Sequence, residues 1–278
     1  MKKVVLAFSG GLDTSYCAIY LAKEMGLEVH AALANTGGFS AEELARIEKR
    51  AYALGVKSYV ALDVTQDYYQ HAIKYMIFGN VLKNSTYPIS VSSERISQAT
   101  AIARYAREIG AYYLCHGSTG AGNDQVRFDM IFNIVAPEIE VIALIREKRL
   151  SREEEIEYLR SHGVDFDFKK AEYSINQGIW GTSVGGKETL TSSETLPEEA
   201  YPSQLKETEP RRVTLTFERG EFVALDGKRY DDRIAAIQAL QAVASRYAVG
   251  RDMHVGDTII GIKGRVGFEA AAPMVIIK

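Results

Sequence analysis

The first half of the chain alternates short apolar runs with segments of helical period, and this alternation constrains the architecture most. Residues 4–8 are continuously apolar, as a strand buried on both faces must be. Residues 29–34, 58–62, 112–115 and 139–144 form four further runs. The helical segments between them are punctuated. Ser40 with Glu43 makes a capping box; Leu44, Ile47, Ala51 and Leu54 share a face, and Gly55 closes the segment. Residues 93–109 keep Ala99, Ala103, Ala106 and Ile109 on one side, and Ser151 with Glu154 opens a helix that ends at Gly163. Strand-helix alternation of this kind predicts a doubly wound parallel sheet, with ligands bound beyond the carboxyl ends of its strands.

After Gly163 the pattern changes. Residues 185–210 are polar and proline-punctuated, as a linker or long excursion is. Val213, Leu215 and Phe217 then alternate with threonines toward Arg219-Gly220, which predicts a hairpin. A helix is expected over 231–249 with Ile234, Ile237, Leu240, Ala244 and Tyr247 inward, then strands at 257–263 and 273–277. The predicted fold is α/β: a doubly wound parallel sheet over 1–165, followed by a second, α+β domain over 166–278.

Composition narrows the functional classes. With 278 residues, 46% of them hydrophobic, a sizeable core is available. A net charge of -3 gives no general reason to expect nucleic acid or an anionic membrane as partner. Cys17 and Cys115 lie in apolar stretches, which suits free thiols in a reducing compartment. His30, His71, His116, His162 and His254 show no ligand spacing, so no structural metal is expected. The N-terminal apolar run is too short for a signal-peptide core, and no later run is long enough to span a bilayer. The chain reads as cytoplasmic and soluble.

At the end of the first apolar run stands Ser9-Gly10-Gly11-Leu12-Asp13-Thr14-Ser15. Neither G-x-G-x-x-G nor G-x-x-x-x-G-K-[ST] is present. Gly10 and Gly11 allow a tight turn and a close approach to an anion, and the amides of the next helix face it. Ser9, Thr14 and Ser15 add hydroxyls; Asp13 can cap the helix or help hold a metal that bridges phosphates. A second polar set follows the fourth run, in "CHGSTGAGNDQVRFD" (115–129). There Asp124 can take an ammonium, and Thr119, Asn123 and Arg127 can hold carboxylates. "TYPISVSSER" (86–95) offers Tyr87 and Ser92 before a helix that Ser92 or Ser93 must cap.

These stretches, with "ALANTGG" (32–38), "YSINQGIWGTSV" (173–184) and "IKGRVGFE" (262–269), resemble the argininosuccinate synthase family of the N-type ATP pyrophosphatases. The resemblance implies a nucleotide-binding domain at 1–165, a synthetase domain at 166–278 and condensation of citrulline with aspartate. ATP would activate citrulline as citrullyl-AMP, releasing AMP and pyrophosphate, with Mg2+ accompanying the nucleotide. It further implies ATP binding by Ala7, Phe8, Ser9, Gly10, Gly11, Leu12, Asp13, Thr14, Ser15, Ala34 and Gly117, and aspartate binding by Thr119, Asn123 and Asp124. Tyr87, Ser92, Asn123, Arg127, Ser174 and Ser183 would line the citrulline site. Asp13, Asp124 and Arg127 are the expected catalytic groups, and a tetramer the expected assembly.

Two departures from the family pattern stand out. Family members continue beyond the position of Lys278 into a helical arm that embraces neighbouring subunits, so this chain is expected to lack that arm. The family also carries a glutamate where Gly256 stands and a tyrosine where Phe268 stands, both of which help hold citrulline. Either another acid, Asp257 or Glu269, takes over, or the pocket accepts an α-N-acylated citrulline. A tRNA-thiolating or amide-forming relative, and a non-catalytic binding protein, are the competing readings. Paired catalytic cysteines and a basic surface would favour thiolation, whereas the intact glycine-rich and Asn-Asp stretches argue against a non-catalytic protein.

Overall fold

Val4, Val5 and Leu6 are completely buried, and they share that burial between two faces. In β1 (Lys3–Ala7) Val4 and Leu6 join one apolar cluster and Val5 another, as alternation along a strand requires. The structure, a computed structural model, describes residues 1–120, 122–164, 173–258 and 261–278; at 257, 258 and 261–263 it describes the backbone alone. The elements continue with α1 (Leu12–Lys23), β2 (Glu28–Asn35), α2 (Ala41–Ala53) and β3 (Ser58–Asp63). Next come α3 (Thr65–Tyr68) and α4 (Lys74–Phe78), joined by a π-helical turn at Tyr69–Ile73. Then follow α5 (Ser90–Glu108), β4 (Tyr113–His116), α6 (Asp124–Val135), β5 (Glu140–Ile142), α7 (Leu144–Lys148) and α8 (Arg152–Ser161).

The five strands form one parallel sheet in the order β3-β2-β1-β4-β5. One face is covered by buried residues of α1, α2, α7 and α8 and the other by α5 and α6, so the sheet is doubly wound. Both expected capping boxes are present, Ser40 with Glu43 and Ser151 with Glu154. Cys17 and Cys115 are both free and buried. The third expected helix begins at Ser90, earlier than 93. Ser93 lies inside it and donates to the Ile89 carbonyl at 2.7 Å, so neither Ser92 nor Ser93 is its cap.

The chain divides into two units. The first holds Met1–Asn35, Phe39–Val64 and the described part of Arg95–Lys170; the second holds Thr36–Gly38, Thr65–Glu94 and the remainder. Residues 65–94, expected within 1–165, thus fall in the second unit. Their apolar side chains explain this: Tyr68, Tyr69, Ile73, Met76 and Ile77 belong to the core of Trp180, Phe222, Ile237 and Leu240. The expected boundary at 165/166 lies outside the described residues.

The second unit contains β6 (Ser174–Gly178), β7 (Gly181–Gly185), β8 (Leu215–Glu218), β9 (Glu221–Leu225) and β10 (Lys228–Arg229). It continues with α9 (Arg233–Ala244), β11 (Arg251–Thr258), β12 (Gly261–Glu269) and α10 (Ala271–Ile277). The hairpin at Arg219-Gly220 is there, with both turn residues at positive φ, 52° and 82°, as a two-residue turn of this hand needs. Helix α9 is shorter than 231–249, and Tyr247 is half-buried in a following 3-10 turn rather than inward. The strand expected at 257–263 is part of a longer hairpin, β11 with β12. The run 273–277 is helical, not a strand. Its apolar character fits either period, and Pro273 sits in the first turn, where a missing N–H breaks no helical bond.

Candidate active site

The order of the parallel sheet reverses between β1 and β4, and in such sheets ligands bind beyond that switch point. The loops leaving these two strands are the two stretches singled out in the sequence. Gly10 adopts φ +75°, and its carbonyl accepts from Arg50 Nη1 at 2.5 Å. Gly11, not Asp13, is the N-cap of α1, and it uses no side chain for the purpose. The first amides of this 12-residue helix therefore lack helical acceptors, at the end where the dipole favours an anion. Ser9 Oγ lies 3.3 Å from Thr14 Oγ1 and accepts from the Gly11 amide. Ser15 is completely buried and donates to the Gly11 carbonyl at 2.7 Å, so its hydroxyl shapes the loop instead of pointing outward.

Gly117, just after β4, meets this loop. A Cβ there would lie 3.2 Å from Asp13 Cβ and from Thr14 Cγ2, tighter than ordinary contact. Any side chain at 117 would force the two loops apart by a few tenths of an ångström. Ala34, at the carboxyl-terminal part of β2, is buried, and its carbonyl accepts from Gln98 Nε2 at 3.2 Å. Phe8 is buried and pairs with Ala32 through its amide. Ala7, Phe8, Ser9, Gly10, Gly11, Leu12, Asp13, Thr14, Ser15 and Gly117 thus lie together at the carboxyl ends of β1 and β4, beside the switch point.

Asp13 brings a partner that the sequence did not announce. Its carboxyl shares a hydrogen bond with Glu155 of α8, and burial pushes it above its ordinary value. Glu155 is 3% exposed, and its Oε2 is buried without a hydrogen-bond partner. Burial first, then the charge and hydrogen bond of Asp13, push Glu155 up to about 8. Burial and mutual repulsion thus make the pair hold a proton more tightly than a free carboxyl does.

On the β4 side, Asp124 opens α6 after Asn123. Its Oδ2 accepts from Arg95 Nε at 3.2 Å and its Oδ1 from Arg127 Nη1 at 2.6 Å. Burial opposes its ionisation, but the two arginines outweigh that and hold it below its ordinary value. Asp124 is thus an ionised carboxylate, and Arg95, only 12% exposed, was missed because an isolated arginine inside a helical pattern carries no signal. Thr119 is exposed on the loop; its neighbour Ala121 lies outside the described residues. The same loop is tied from below by His116, Asp129 and Arg146.

Tyr87, Ser92, Ser174 and Ser183 belong to the second unit. Strand register places several of them on one face of the sheet β11-β12-β7-β6. Ser183 stands opposite both Asn176 and Phe268, Phe268 opposite Asp252, and Gly256 opposite Gly264. Counting by two along each strand puts Ser174, Ser183, Phe268, Asp252, His254 and Gly256 on that face. Tyr87 covers it: its ring stacks on His254 at 3.9 Å and meets Phe268 edge-on at 5.3 Å. The Tyr87 hydroxyl accepts from the Val91 amide at 2.9 Å at the start of α5. Glu269 is on the opposite face, 3% exposed, accepting from Ser203 Oγ at 2.6 Å and Arg251 Nε at 3.0 Å. It cannot replace a carboxylate at Gly256. The side chain of Asp257 lies outside the described residues.

The chain is similar to known proteins over its whole length. Residues 3–165 match the family model of the arginosuccinate synthase N-terminal HUP domain, and residues 173–278 that of the C-terminal domain. The argininosuccinate synthase of Dictyoglomus thermophilum is 37% identical over 280 residues, covering 100% of this chain and 70% of the relative. That of Xanthomonas campestris pv. campestris is 39% identical over 279 residues, covering 97% and 68%. That of Sulfolobus acidocaldarius is 33% identical over 276 residues, covering 99% and 70%. With both domains matched in order and these relatives 33–39% identical over nearly the full chain, the chain belongs to the argininosuccinate synthase family.

Proposed function

We propose that the chain condenses citrulline with aspartate to argininosuccinate, using ATP and releasing AMP and pyrophosphate in arginine biosynthesis. Of its structural features, the meeting of the Ser9–Ser15 loop with Gly117 at the switch point supports this reading best. A urea oxygen is a poor leaving group, so it is first made into one. The ureido oxygen of citrulline attacks the α-phosphorus of ATP, and pyrophosphate departs into the amides at the start of α1. Donors fixed before the reaction stabilise that developing charge without reorganising. The amine of aspartate then attacks the activated carbon, loses a proton, and AMP leaves. Positioning carries much of the rate in such chemistry.

Asp124, Thr119 and Asn123 are proposed to hold aspartate, and Asn123, Arg127, Tyr87, Ser92, Ser174 and Ser183 citrulline. The ionised Asp124 suits an ammonium, although Arg95 and Arg127 compete for it. Mg2+ is proposed to come with the phosphates of ATP. Asp13 is engaged with Glu155, and no group of three metal-binding side chains occurs among the described residues, so the nucleotide itself would supply most ligands. On the citrulline face, Asp252 stands beside Phe268 and is the carboxylate proposed to take the α-ammonium in place of the family's glutamate. A cytoplasmic location and a homotetrameric assembly complete the proposal by family; no described helix is long and apolar enough to cross a membrane.

Pyrophosphate release tests the reading. It should require ATP and citrulline, rise with aspartate, and be lost in Ser9→Ala with Asp13→Asn while the circular dichroism spectrum persists. Citrulline-independent release, or normal turnover in the double variant, would contradict it.

A further inference from the structure

His116 ends β4 and is 1% exposed, stacked at 5.7 Å on Phe128, with both ring nitrogens engaged. Its Nε2 is 2.8 Å from Asp129 Oδ1, and its Nδ1 is 3.2 Å from the Ser118 amide. An amide is only a donor, so Nδ1 must carry a lone pair; a carboxylate is only an acceptor, so Nε2 must carry the proton. One neutral tautomer satisfies both contacts, whereas the other breaks both. Asp129 is itself held, because Arg146 Nη1 donates to its other oxygen at 2.5 Å. The same Arg146 nitrogen reaches Gln125 Oε1 at 3.1 Å, and Gln125 Nε2 donates to the Gly120 carbonyl at 2.6 Å. Two branches from one arginine therefore end on the backbone of the loop at residues 118 and 120, on either side of Thr119 and next to Gly117.

We propose that Arg146, Asp129 and His116 form a tautomer-locking relay that positions the 117–120 loop for ATP and aspartate, with His116 and Asp129 as positioning residues. The relay rests on the site assignment above, which gives Gly117 to ATP and Thr119 to aspartate. In Asp129→Asn the single amide oxygen is drawn to the charged Arg146. The amide nitrogen then faces Nε2 and drives the ring toward the tautomer whose Nδ1–H opposes the Ser118 amide.

Two measurements on the full chain decide the matter. Long-range proton–nitrogen NMR of the unmodified protein at pH 7 should show His116 neutral and protonated at Nε2; protonation at Nδ1, alone or on both nitrogens, overturns the relay whatever the activity. Steady-state kinetics of Asp129→Asn should show KM for ATP and for aspartate each raised about tenfold, as for a misplaced hydrogen-bonding loop. KM for citrulline should rise by less than about threefold, and Asp129→Glu should restore most of the loss. Equal changes in all three KM values, or a fall in Tm with unchanged KM, overturn the positioning role. Failure of the unmodified chain to release pyrophosphate would instead count against the site assignment, leaving the tautomer result standing.

Discussion

Replacing Glu155 by glutamine should make the protein more stable in alkali and change how its stability depends on pH. Glu155 is pushed up to about 8 from 4.5, by burial first and then by Asp13. Below pH 4.5 folded and unfolded chains both hold its proton, so the group adds no slope. Between 4.5 and about 8 the unfolded chain has lost the proton and the folded chain keeps it, so stability falls as pH rises. The slope reaches at most about 1.4 kcal/mol per pH unit. Over the whole window the loss amounts to about 5 kcal/mol as an upper bound, since Asp13 shares the same proton. Glutamine keeps a donor toward Asp13 and cannot ionise. Urea unfolding at pH 5 and pH 8.5 should therefore show Glu155→Gln gaining about 2–5 kcal/mol on the unmodified chain between the two conditions. Titrating groups remote from Asp13 and Glu155 cancel in that difference. Parallel stability curves would refute the buried proton-sharing pair.

Gly117→Ala places a methyl 3.2 Å from Asp13 Cβ and Thr14 Cγ2, so calorimetry should find ATP binding weakened about tenfold with the fold retained. Asp124→Ala removes the charge between Arg95 and Arg127. Its kcat/KM for aspartate should fall about a hundredfold, while citrulline-dependent pyrophosphate release without aspartate survives. Asp252→Ala should raise KM for citrulline about tenfold if that carboxylate holds the α-ammonium. Better turnover of N-acetylcitrulline than of citrulline by the unmodified chain would point to an acylated substrate instead.

The parallel sheet was readable because buried parallel strands are apolar on both faces and their helices carry explicit caps, as at Ser40 and Ser151. The glycine loop was readable for a similar reason: Gly10, whose positive φ favours glycine, stands in the polar Ser9–Ser15 stretch directly after an apolar strand. The C-terminal run at 273–277 was not, since a short apolar stretch has no decisive period and Ala270 sets its helical start through tertiary pairing with Gly250. Residues 65–94 pack with the core of the second unit because a core is shared through space, and nothing local tells which core Tyr68 and Ile73 will enter. The partners Glu155, Arg95, Asp129 and Arg146 were invisible singly, as their chemistry arises only where α8, α5, α6 and α7 bring them to the loops. Glu269 stands next to Phe268 in sequence, but strand parity turns it to the other face.

The central claim is that citrulline is activated through its ureido oxygen on the loop that joins β1 to α1. Citrulline labelled with oxygen-18 at the ureido position, incubated with ATP and aspartate, tests this most directly. The label should appear in AMP, one atom per argininosuccinate formed, and be absent from pyrophosphate. Unlabelled AMP alongside product, or label recovered in phosphate or pyrophosphate, would contradict the account.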